Sequence, residues 1–149
     1  MADNKSKNII DTLEDFFKKA PAIPANGREA LVKITPWLAI IFGILGVLGG
    51  LAGVGILTMF SPLAAFSGAQ GIASYGTGII AAWIWLASSV LMVLAYPGLK
   101  ARKIGGWNWL FWSEVLNIVG SVVAGSLINA VIGALIGFYL LFQIKSYYK

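Results

Sequence analysis

The chain contains neither cysteine nor histidine. Those two absences remove disulfides, Cys/His metal sites, haem ligation by either residue, thiol nucleophiles, S-palmitoylation and every triad that uses imidazole. Charge is scarce as well: 11% of the 149 residues are charged, against about 25% in a typical soluble domain. Acidic residues are the fewest, six in all, and a single one, Glu114, lies inside a membrane-length apolar segment. A lone carboxylate lacks the partner that acid–base catalysis needs. The chain is therefore expected not to be an enzyme and to use no cofactor and no metal.

What is abundant is apolar surface. Hydrophobic residues make up 58% of the chain and the mean hydropathy is +0.82, values that belong to a membrane protein. The net charge of +5 does not point to nucleic acid, because its carriers flank the hydrophobic segments. Lys100, Arg102 and Lys103 sit between two such segments, and the N-terminal lysines alternate with Asp11, Glu14, Asp15 and Glu29. Basic flanks orient spans and meet anionic lipid headgroups.

Residues 1–35 lack the apolar core of a secretory signal, and Ala2 breaks the myristoylation pattern. Ile9, Ile10, Leu13, Phe16 and Phe17 fall on an arc of roughly 120° of a helix, with charges of both signs opposite them. The pattern predicts an amphipathic helix ending before Pro21, with Ile9, Leu13, Phe16 and Phe17 as its contact surface. It would pack beneath its own bundle or lie on the membrane or a partner. Asn26 followed by Glu29 reads as a variant capping box for a short helix through Lys33. Pro36 then marks the start of the first span, or a kink if the preceding helix runs straight on.

No charge interrupts residues 36–99, a run too long for one crossing. Glycine, serine and proline divide it into spans of about 37–60 and 77–99. Residues 107–144 would make a helix of about 57 Å, nearly twice the hydrocarbon core, so two further spans are expected at about 107–123 and 127–144. The sequence thus predicts an all-α polytopic protein: a 1–35 cytoplasmic segment, then a 36–149 domain of four transmembrane helices in a bundle. Both termini and the 100–103 loop then share one side with every basic residue. By the positive-inside rule that side is the cytoplasm, in a bacterial inner membrane. Trp107, Trp109, Trp112, Tyr139, Tyr147 and Tyr148 would anchor that interface.

Two kinds of helix face stand out. Gly43, Gly46, Gly50 and Gly53 share a face of the first span, and Gly133 and Gly137 share one of the fourth, as seams for close helix packing. Such a seam serves the chain's own bundle or a second copy. In the third span Glu114, Asn117 and Ser121 form a polar stripe, which Asn129 of the fourth span can meet. The stripe either fixes packing through interhelical hydrogen bonds or carries an ion or proton with Glu114 as its titrating group. As a packing group, Glu114 would be held by Asn117, Ser121 and the basic loop after the second span.

The segments ITPWLAIIFGILG, AYPGLKARKIGGWNWLF and GFYLLFQIKSYYK resemble those of small, uncharacterised bacterial membrane proteins with four helices. The resemblance implies a membrane bundle and brings no activity, ligand or partner with it. The function expected first is a non-enzymatic membrane protein that acts by helix packing, self-association or binding a membrane partner. The alternative is a small transporter or channel subunit using Glu114.

Overall fold

In the computed structural model, which describes residues 2–149, the prolines divide the chain less than their positions predict. The helices are α1 (Ala2–Phe17), α2 (Ala25–Met59), α3 (Ser61–Phe66), α4 (Gly68–Lys100), α5 (Ile104–Val123) and α6 (Leu127–Lys145). Helix α2 starts at Pro24, whose carbonyl accepts from Arg28 N–H at 3.0 Å, and runs through Pro36 without a break. Pro36 removes the bond to the Val32 carbonyl. One residue earlier the Thr35 hydroxyl donates to the Leu31 carbonyl at 2.6 Å. Pro97 likewise lies inside α4, three residues before its end.

The expected span at 37–60 is thus part of a helix of 35 residues, and the one at 77–99 part of a helix of 33. At 1.5 Å per residue they measure about 52 and 50 Å. Helices α5 and α6, with 20 and 19 residues, reach about 30 and 28 Å and keep the expected bounds closely. Among the described residues α2, α4 and α6 are long and apolar enough to cross a membrane, which marks a membrane protein. Helix α5 is not one of the three; Asn108, Glu114 and Asn117 lower its hydropathy.

The glycine face of α2 is filled by α4. A Cβ on Gly43 would sit 2.8 Å from Val93 Cγ2, one on Gly46 would collide with Ser89 Oγ, and one on Gly50 would sit 3.0 Å from Leu86 Cδ1. These three glycines are buried, and the seam ends before Gly53, which has nothing within 4 Å. Helices α4 and α5 come closest at a second glycine pair: a Cβ on Gly98 would lie 2.6 Å from Gly106 Cα. Further along, Ile84 meets Gly120, so the two helices run antiparallel. In that register residues 68–79 of α4 extend past the end of α5, about 18 Å of helix.

The apolar core gathers at the basic end of the bundle. Leu99, Trp107, Phe111, Phe138, Leu141 and Ile144 are buried together there. Trp107, expected as an interfacial anchor, is instead 0% exposed. Its Nε1–H donates to the Leu141 carbonyl at 2.9 Å, and Phe111 stacks on it at 5.5 Å. Tyr148, expected in the same role, is buried too, whereas Trp109 and Trp112 are exposed. The close α4–α5 approach at Gly98 and Gly106 pulls Trp107 inward, which interfacial amphipathicity alone does not foretell.

Helix α1 packs on the end of α6. Phe17 is buried and stacks on Phe142 at 5.8 Å, and Ile10 and Leu13 lie against the same cluster. Ile9 and Phe16 are exposed. Glu14 pairs with Lys145 and, at 3.1 Å, with Lys18. Burial pushes the Glu14 carboxyl up, but the hydrogen bonds from Lys145 and Lys18 outweigh it and hold the group below the usual glutamate range. The linker follows the same surface: Tyr139 donates to the Pro21 carbonyl at 2.6 Å, and Ile23 N–H to Gln143 Oε1 at 3.2 Å.

Candidate functional site

The rotation of α5 is set by a pair of serines. Ser88 Oγ donates to the Ser113 carbonyl at 2.9 Å and Ser113 Oγ to the Ser88 carbonyl at 3.0 Å, with 3.1 Å between the hydroxyls. Both residues are fully enclosed. With Ser113 turned to α4, the next residue lies 100° further round, and Glu114 faces α6. There a Cβ on Gly137 would fall 2.6 Å from Glu114 Cδ, and one on Gly133 would fall 3.6 Å from its Oε1. The glycine seam of α6 and the polar stripe of α5, separate features in the sequence, are one place. Gly133 and Gly137 make the groove that holds the carboxylate.

Glu114 has none of the expected holders. Among the described residues, nothing forms a hydrogen bond or ion pair with its carboxylate. Ser121 instead donates to the Asn117 carbonyl at 2.9 Å, on its own helix. Lys100, Arg102 and Lys103 are exposed at the end of the bundle, and Lys100 lies over the rings of Trp37 and Tyr96 at 5.8 and 5.7 Å. Burying a carboxylate in lipid costs several kcal/mol on insertion scales, roughly 2.5 to 3.5 at the centre of a span. Where α5 crosses a bilayer, a carboxylate with no partner among the described residues leaves that cost to protonation, water or a bound cation.

Two cavities adjoin the stripe. One, of about 210 Å³, is lined by Glu114 and Asn117 together with Leu38 of α2, Met92 of α4 and Gly137 and Leu140 of α6. The other, of about 310 Å³, is lined by Asn117, Ser121, Ser126 and Asn129 with Ala81 and Trp85. Asn117 belongs to both. All four stripe residues therefore face open space, and the row runs from Glu114 toward the turn between α5 and α6. At the opposite end the aromatic core closes the bundle, with Lys145 over the Trp107 ring at 5.3 Å.

Sequence reasoning missed Ser113 and the Gly98–Gly106 contact. Ser113 carries no periodic signal, because a single serine beside a glutamate reads as part of the polar stripe. The glycine contact has a signal: Pro97-Gly98 and Gly105-Gly106 flank one short loop, and an antiparallel turn brings such pairs face to face. Among the described residues no group of three acidic side chains is placed to hold a metal. The sequence matches no family model, and neither a curated protein nor a solved structure shows significant similarity to it.

Proposed function

We propose that the protein is a small, non-enzymatic, four-span transporter or channel subunit of a bacterial inner membrane, with Glu114 as its proton or cation site. The observation that carries this reading is the Glu114 carboxylate, without a partner among the described residues and lining a cavity that shares Asn117 with a second one. Four crossings are supported by the short connections at 101–103 and 124–126, which suit an α5 that returns through the bilayer between α4 and α6. The basic residues on one end support cytoplasmic termini, with headgroups meeting Lys100, Arg102 and Lys103. The exposed Ile9 and Phe16 support an amphipathic α1 lying beneath the bundle at the same surface.

Reconstituted vesicles test the site. Wild-type protein is expected to pass a proton or cation current under an imposed gradient, and Glu114→Gln to abolish it with assembly intact. Equal currents from both proteins refute the reading. Topology is checked separately. An impermeant thiol reagent on intact cells should label Ala69→Cys and Ala124→Cys but not Lys103→Cys, without background in a chain that has no native cysteine.

A second reading, association with another copy or a membrane partner, draws on one specific feature. Gly53, Gly55, Gly76 and Gly78 have nothing within 4 Å, so the far half of α2 and α4 keeps small residues that no described helix of this chain packs against. Gly55→Leu would break such an association without touching the α2–α4 seam; an unchanged oligomer size removes that reading.

A further inference from the structure

We infer that the Glu114 cavity takes a small organic monocation, an alkyl- or arylammonium that enters sideways from the lipid. The inference rests on the reading of Glu114 as a cation site and names its ligand class. The walls decide the class. A bare metal ion needs a shell of oxygens, six to eight for a hard cation such as calcium, and this cavity supplies few. Its one carboxylate is Glu114, and the only other side-chain oxygens in its lining are one each from Thr35, Ser113 and Asn117, too few for such a shell. Leu31, Leu38, Met92, Leu110, Leu140 and Leu141 make up most of the remainder. A single negative group among aliphatic side chains matches a ligand with one positive charge and a hydrocarbon body.

Size and access agree with that class. A cavity of about 150 Å³ lined by aliphatic and aromatic side chains accepts benzene, and this one measures about 210 Å³. Its α2 and α6 walls include Leu38 and Leu140, which are also exposed on the outside of the bundle. The gap between those two helices therefore leads to the acyl chains, where an amphiphilic amine concentrates. The Gly137 backbone lets the carboxylate lie flat against α6, so its oxygens line the cavity without closing it.

Benzylammonium and its neutral counterpart benzyl alcohol test the inference by calorimetric titration of the full chain in detergent micelles at neutral pH. Benzylammonium is expected to bind saturably to wild type and at least tenfold more weakly to Glu114→Gln, while benzyl alcohol binds both proteins equally. Should Glu114→Gln fail to fold, Leu38→Trp narrows the cavity with the carboxylate in place, and the same tenfold loss is expected. The inference is overturned if neither variant weakens benzylammonium. It is also overturned if benzyl alcohol binds wild type as tightly as the amine, which would make the cavity a crevice for uncharged acyl chains. A Glu114-dependent proton current with no benzylammonium binding would remove this inference and leave the proton site standing.

Discussion

Replacing Gly106 with alanine puts one carbon where the structure has no room for it. The added Cβ would lie 2.7 Å from Gly98 Cα and closer still to Gly98 C and Leu99 N. All three are backbone atoms, so no rotamer change relieves the contact. Carbon atoms pack at about 3.5–4.0 Å, so α4 and α5 must separate by about 1 Å at the basic end. That movement loosens Leu99 and Trp107, both buried to within 1%. Overpacking of this kind costs about 1–3 kcal/mol. Gly105→Ala is the matched control: the same chemistry, one residue away, with nothing within 4 Å. Relief of backbone entropy should stabilise it by about 0.4–1 kcal/mol. Unfolding in mixed micelles, followed by tryptophan fluorescence, should separate the two variants by about 1.4–4 kcal/mol, a factor of roughly 10 to 900 in the folding equilibrium. Equal stability would refute the close approach of α4 and α5.

Four further outcomes are expected. Gly46→Leu should disrupt the α2–α4 seam, because even a Cβ there meets Ser89, whereas Gly55→Leu should be mild; thermal stability in detergent compares them. Ser88→Ala and Ser113→Ala should each cost about 0.6–2 kcal/mol, and the double variant should cost less than their sum, since each hydroxyl bonds the other helix in one reciprocal pair; a double-mutant cycle measures the difference. The Glu14 carboxyl titrates below its usual range when folded, so its contribution is present above about pH 4.3, the unfolded value, and is lost as pH falls through the lower folded one. Proteolysis of α1 across that window should rise in wild type and be pH-independent in Glu14→Gln. Burial pushes the Tyr148 hydroxyl up to about 12, against a smaller opposing pull from Arg102. Stability should hold below about pH 10, the unfolded value, and fall as pH rises toward 12, and Tyr148→Phe should remove that part of the alkaline loss.

The helices were legible from the sequence because their signals are local. Uncharged length, glycine breaks and a basic loop bounded α5 and α6 to within a few residues. The start of α2 was not, because Pro36 can open a helix or sit inside one, and only the packing of Val32 and Ala39 against the core decides. The four glycines of the first span were legible as a seam, but the register that occupies three of them and leaves Gly53 open depends on Leu86, Ser89 and Val93 of a helix forty residues away. At the site, the polar face of α5 was readable from its period. That Glu114 lies in the groove of Gly133 and Gly137, and not under the basic loop, depends on the rotation set by Ser88 and Ser113, a contact between helices that no periodicity records.

The unequal lengths of the two hairpins reach beyond the protein to the bilayer. Trp37 and Tyr96 meet ring to ring at 6.0 Å and mark one surface; from there α2 and α4 have enough helix to reach the other. Helix α5 ends at Val123, opposite a point in α4 that leaves residues 68–79 still to run. Under the four-crossing reading, the lipid beside α5 and α6 faces a shorter apolar wall than the lipid beside α2 and α4. Such a mismatch is relieved by thinning the bilayer on one side, at fractions of a kcal/mol per Å. The molecule would then sit in a membrane that slopes across its width, with the polar turn at Ser126 and Asn129 at the bottom of the dip.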